Sequence, residues 1–336
     1  MYSLKKSLYA VAAILGVITL SACNHLNSAD VAVPVDRIEF SSPGLYPEGI
    51  EYDANQRVFL LSSLTQGTVS RVNDQGEIEA FIMDDELISS VGLYLDRAAN
   101  RVIVANGDLG VSIRSSDQTQ GKLAAVGIYD SITGEKINSV DLAALDPDRG
   151  HFANDVTVDY FGNIYVTDSF SPYIYKVNAE GEASIFATHP QFEAPEGGFG
   201  LNGIVFHPDG YLIVAHFANG QLFKVPVDDP MAIEAIMINE TLAFLDGLEL
   251  RDSETLIAVS NDVTLVDNQV LQLQSSDGWL NATVAQRIET GDQEATTVVV
   301  HQGSAYAIYS PLSILFGYTT SDSERSFDGF YINKVL

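Results

Sequence analysis

A short strand pattern returns six times along this 336-residue chain and limits what it can fold into more than any other feature. Its clearest copy starts at Leu201 and reads LNGIVFHPDGYLIVAHFANGQLFKV. A polar residue plus glycine opens an alternating strand. Pro208-Asp209-Gly210 turns it into a second apolar strand, and Ala218-Asn219-Gly220 leads to a third. Period-two alternation with turn residues between the runs is the mark of an antiparallel meander. Glu48-Gly49-Ile50 opens another copy through VFLLSS and TVSRV, and Asn154-Asp155-Val156 one through IYVTDS and YIYKV. Val91-Gly92-Leu93 leads into RVIVANG, Asp246-Gly247-Leu248 into LIAVS, and a degenerate copy runs from Thr296 into AYAIYS. The equivalent residues Glu48, Val91, Asn154, Asn202, Asp246 and Thr296 are spaced by 43, 63, 48, 44 and 50 residues. Periods of about 40–50 residues holding several short strands predict an all-β, six-bladed β-propeller.

The chain ends point to how the ring closes. Phe330 to Val335 (FYINKV) resembles the third strands YIYKV and QLFKV, so the last copy lacks an outer strand, and Val35 to Phe40 can supply it. The N-terminal strand is therefore expected to close the last blade and cover an edge that would otherwise pair with other molecules. Residues 35–336 then form one propeller domain. Three polar or glycine-rich insertions, 112–121, 192–200 and 319–327, are expected as loops at the channel mouth.

Ahead of the domain lies a targeting segment. Lys5-Lys6 and the apolar run Leu8 to Leu20 read as a signal peptide over residues 1–22. The run is too short to span a bilayer comfortably. It ends at Leu20-Ser21-Ala22-Cys23, which looks like a bacterial lipobox. Cys23 is the only cysteine, so it has no intramolecular disulfide partner and stands where a lipid anchor attaches. Residues 23–34 would be the lipidated cysteine and its tether. Asn24 after the cysteine, by resemblance to Gram-negative lipoproteins, implies the periplasmic face of the outer membrane. A plain secretory signal is the alternative. With 17 basic against 45 acidic residues the chain repels phosphates and anionic surfaces, which argues against nucleic acid and leaves the lipid as the one membrane contact.

The six equivalent residues matter because each enters the innermost strand of its blade beside the axis. Four of them, Glu48, Asn154, Asn202 and Asp246, carry hard oxygen donors, two of them charged. That set suits a divalent cation, Ca²⁺ before the more demanding Mg²⁺, with Mn²⁺ or Zn²⁺ as further choices. Val91 and Thr296 leave the other two positions without good ligands. Taken one at a time, Asn-Gly and Asp-Gly are also ordinary hairpin pairs. In these four copies the polar residue nevertheless opens the inner strand, while separate turns follow within the copy.

PEGI at 47–50, ANDVTVDYFGNIYVTDS at 153–169, LNGIVFHPDGYLIVAH at 201–216 and LDGL at 245–248 resemble the SMP-30/gluconolactonase-like propellers, with diisopropyl-fluorophosphatase as a related cousin. The resemblance spans nearly all of residues 35–336. It implies that Glu48, Asn154, Asn202 and Asp246 bind a catalytic divalent metal, that Asp246 is general base or nucleophile with Glu48 as alternate, and that Asp155 supports the ligands from behind. The implied activity is metal-dependent hydrolysis of a small-molecule lactone or related ester. A non-catalytic envelope binding or scaffold propeller and a phosphotriester hydrolase are the rivals. Of the histidines, His216 and the carboxylate Asp168 are expected to hold backbone amides, His151 to be a solvated loop residue, and His207 and His301 to face solvent. No Gly-x-Ser-x-Gly elbow, Cys-His metal spacing or phosphate loop is present.

Overall fold

The computed structural model describes residues 36–263, 268–317 and 327–336. The signal peptide, Cys23 and the tether lie outside the described residues, as does nearly all of the polar loop 319–327. What is described is an all-β propeller with almost no helix: short strands, two 3₁₀ turns, and one α-helical turn at Leu312–Leu315.

Among the described residues, strand pairing gives six four-stranded meanders. Their inner strands are Ile50–Asp53, Ser89–Asp96, His151–Val158, Leu201–His207, Leu245–Asp252 and Ala295–His301. In the last, Gly329–Lys334 pairs with Arg37–Ser41, from Arg37 opposite Asn333 to Ser41 opposite Gly329, so the N-terminal strand fills the missing outer position. Two meanders fuse into one sheet where His151 and Phe152 pair in parallel with Lys122 and Leu123. Each inner strand packs against the next, and Ala295–His301 packs against Ile50–Asp53.

Local chemistry explains why each inner strand turns where it does. Asp53, Asp96, Asp159 and Asp252 stand at the ends of four inner strands, and each carboxylate accepts the amide two residues on. Such Asx turns replace the ladder bonds that the strand gives up. In the fourth meander His207 does the same work, its Nδ1 accepting the amide of Asp209 at 3.1 Å. Apolar faces then join neighbouring meanders. Ile213, Leu245, Leu256, Leu271 and Trp279, for instance, are all buried in one cluster between the fourth and fifth.

Around the axis the inner strands come too close for side chains. A Cβ on Gly49 would lie 2.7 Å from the carbonyl oxygen of Val91. One on Gly92 would collide with Asn154 and Asp155, one on Gly203 with the carbonyl of Asp246, and one on Gly247 with Thr297. These glycines follow the repeat's first residue, so each is there because the next strand occupies the space of its side chain. Gly203→Ala should lower unfolding stability by about 1–3 kcal/mol through overpacking. Gly329→Ala, at a strand position with nothing near its Cβ, should change it by less than about 0.5 kcal/mol. Urea unfolding of the two variants checks this, and equal stabilities would contradict the steric account.

Candidate functional site

Five of the six inner strands slip register at the repeat's first residue. The breaks fall between Ser90 and Leu93, Ala153 and Val156, Leu201 and Ile204, Leu245 and Leu248, and Ala295 and Thr297. A bulge of this kind re-aims side chains out of the ladder. Asn-Gly and Asp-Gly are therefore bulge residues here, not hairpin turns.

The consequence is convergence. Glu48, Asn154, Asn202 and Asp246 line one cavity of about 70 Å³, together with Val91. All four are between 4% and 7% exposed, so both carboxylates are taken out of bulk water. Thr296, the sixth equivalent residue, instead donates its hydroxyl to the Glu48 carbonyl at 2.7 Å and ties the last inner strand to the first. Asn261, which the sequence reading passed over, donates to Asp246 Oδ2 at 3.2 Å and lines the same cavity. The available signal was its place directly after the second strand LIAVS, where the third copy has Asp168-Ser169.

The electrostatics of this cluster are unbalanced. Burial pushes the Glu48 carboxyl well above the ordinary range, and the charges of Asp246 and Asp155 push it further. Asp246 is pushed up to about 7, first by burial, while hydrogen bonds from the side chains of Asn261 and Asn202 work in the other direction. Glu48 Oε2, Asn154 Oδ1 and Asn261 Oδ1 are buried without a hydrogen-bond partner in the protein. Buried polar atoms left unpaired are costly, and buried charges more so. The donor set fits a hard divalent cation: orphaned oxygens on residues lining one cavity, two carboxylates, and no basic side chain among the described lining residues. Among the described residues no three His, Cys, Asp or Glu side chains cluster closely enough to hold an ion alone; here two amide oxygens would complete the set.

Asp155 sits on the other side. It lines a separate channel cavity, its Oδ2 accepting the Ile204 amide at 3.1 Å and its Oδ1 that of Val156 at 2.8 Å. It bridges two inner strands where four of the other copies have a close-packed glycine and the last has Thr297. Glu51 and Glu249 line the same channel. Glu51 is pushed up to about 7 by burial, partly offset by Arg97. Glu249 is half-buried, with its free surface toward the channel; enclosure and then the Glu51 charge raise it.

The histidines differ from expectation. His151 is buried, because it is the first residue of the inner strand His151–Val158 and not part of a loop. Its Nδ1 lies 2.7 Å from Asp168 Oδ2 and its Nε2 the same distance from the Asp146 carbonyl. His207 is buried, donates to the Ser253 carbonyl and stacks on Tyr211 at 4.2 Å between centroids. His301 is half-buried, 4.4 Å from the Tyr52 ring. His216 meets the Glu193 carbonyl, not an amide. Asp168 does hold amides, those of Phe152, Phe170 and Ser171.

No family model and no curated protein matches this sequence. Solved structures match in fold. The allergen Mala s 1 of Malassezia sympodialis superposes with a TM-score of 0.69 at 20% identity, over 90% of this chain and 96% of that one. A gluconolactonase from Xanthomonas campestris gives 0.56 at 15% identity, over 92% and 93%. A luciferin-regenerating enzyme gives 0.57 at 12%, over 89% and 96%. At such identities the likeness establishes the propeller architecture.

The channel carboxyls make a pH dependence. Glu51 and Glu249 have folded values above those of the unfolded chain, so their neutral forms favour the fold. That stability is full below about pH 4, the ordinary carboxyl value, and is lost as pH rises through about 7 for Glu51. Urea midpoints should therefore fall between pH 5.5 and pH 8. The fall should be smaller in Glu249→Gln, and an unchanged slope in that variant would contradict it.

Proposed function

We propose that this chain is a divalent-cation-dependent hydrolase of a lactone or related ester. It works in the axial cavity of a six-bladed propeller and is tethered to the bacterial envelope through Cys23, on the periplasmic face of the outer membrane. The observation that carries the reading is the meeting of Glu48, Asn154, Asn202 and Asp246 in one cavity, with two of their oxygens orphaned. The fold match to a protein described as a gluconolactonase supports the same reaction class. The cation, Ca²⁺ by preference, would be held by these four residues and would supply Lewis-acid polarisation of the ester carbonyl.

Among the described residues lining the cavity, Glu48 and Asp246 are the titratable ones; no serine, histidine, lysine, arginine or tyrosine faces it. In this reading a carboxylate is the base. Asp246 is the better placed, because Asn261 holds one of its oxygens and fixes its orientation, whereas Glu48 Oε2 has no partner to hold it. As a water oxygen bonds to the carbonyl carbon, its proton passes to Asp246. The ester C–O bond breaks, and the proton passes on to the departing alkoxide. The product is a hydroxy acid, which ionises and is repelled by a chain of net charge −28.

Two outcomes test this. Hydrolysis across a panel of lactones, aryl esters and a phosphotriester should be supported by Ca²⁺ and abolished by chelator, and Ca²⁺ should raise the melting temperature. Silence across the panel with the melting shift retained would make the site a binding site. Asp246→Asn should cut turnover by about 10²–10⁴-fold, the usual weight of a positioned base, while its circular dichroism stays native. Undiminished turnover would remove Asp246 from the role.

A further inference from the structure

Beyond the four converging residues the cavity wall is apolar. Leu109, Phe152, Phe199, Phe217, Leu312 and Phe316 face it, with further aliphatic side chains between them. Among the described residues, the polar side chains that reach it are the four of the site and Asn261. The wall is not a by-product of one strand's alternation. Phe199 comes from the glycine-rich segment 192–200, Phe217 follows the strand Tyr211–His216, and Phe316 follows the turn Leu312–Leu315. Three separate stretches of chain thus deliver a phenylalanine to one place. The rings support each other: Phe152 and Phe199 lie 6.3 Å apart, Phe199 and Phe217 5.8 Å, and Phe217 and Phe244 5.6 Å between centroids, all three pairs tilted or edge-on. Phe199, Phe217 and Phe316 are each only partly buried, unlike Phe223 and Phe330 in the blade interfaces, which are fully so.

A hydroxyl placed against such a wall loses its water partners and finds none in exchange. A methylene placed there gains from leaving water. The wall therefore separates two kinds of ester that the four oxygens alone would accept equally. We infer that the ligand of this cavity is an ester or lactone bearing an unsubstituted alkyl or aryl arm, its carbonyl at the Glu48–Asp246 set and its arm among Phe152, Phe199 and Phe217, and that polyhydroxylated sugar lactones are excluded. That the ligand is an ester and a substrate rests on the hydrolase reading; its apolar arm rests on the wall alone.

The experiment uses the full mature chain with Ca²⁺ and four lactones of one ring size: δ-valerolactone, δ-octalactone, δ-decanolactone and glucono-1,5-lactone. Both kcat/KM and the ligand-induced shift in melting temperature are read. Each added methylene should raise kcat/KM up to about fourfold. Glucono-1,5-lactone should fall about 100-fold or more below δ-decanolactone. Phe217→Ser and Phe199→Ser, checked for a native Ca²⁺ melting shift, should flatten the dependence on arm length. Chelator-sensitive turnover of the sugar lactone equal to that of δ-decanolactone would overturn the inference and leave the hydrolase standing. Absence of all turnover, with a melting shift from δ-decanolactone and none from the sugar lactone, would support the apolar arm and sink the hydrolase. No shift and no turnover from any lactone would overturn both, and arm-length dependence untouched by both serine variants would overturn the assignment to this wall.

Discussion

Everything at the axis depends on how closely the inner strands approach one another. At Gly49, Gly92, Gly203 and Gly247 the neighbouring strand's backbone stands where a Cβ would be. That contact sets the radius of the ring, and the radius sets how near the preceding residues come. The bulges that accompany the contact break the ladder at the same place. A residue freed from strand pairing and next to the axis has one direction left for its side chain, and so the first residues of the copies meet.

Meeting creates a problem that the protein does not resolve with its own atoms. Glu48 and Asp246 are both buried, both raised, and share no basic partner among the cavity-lining residues. Structural ion pairs elsewhere in the chain look different: Arg101 and Asp96 meet at 2.9 Å, and Lys136 reaches both Asp84 and Glu86. A cluster kept costly in isolation is the usual condition of a functional site. In the proposed reading the cation relieves it.

The four residues also divide the axis into two unlike compartments. On one side lies the phenylalanine-lined cavity; on the other lies a channel walled by Glu51, Asp155 and Glu249. Glu48 and Asn202 border both. The acidic side stabilises the fold only while its carboxyls stay neutral, whereas the apolar side offers a place for a neutral ligand.

Repetition made most of the architecture readable from sequence. Period-two alternation fixes strands, aspartates and glycines fix turns, and the residue that opens each copy fixes which positions are equivalent. That was enough to name Glu48, Asn154, Asn202 and Asp246, and to expect that Val35 to Phe40 would supply the outer strand of the last meander, where Arg37–Ser41 stands. The histidines were misjudged for a physical reason. His207 caps a turn in the place where other copies carry aspartate, and His151 lies inside a parallel pairing; neither leaves a local pattern. Asn261, marked only by its place after a second strand, and Phe199, Phe217 and Phe316 escaped the reading for a related reason. They stand on connections whose direction is set by packing against other blades, so no periodicity records them. The chain's own order determined which residues are equivalent around the axis. Only the closed tertiary structure decided what stands above them, because the cavity wall is assembled from segments that share no repeat.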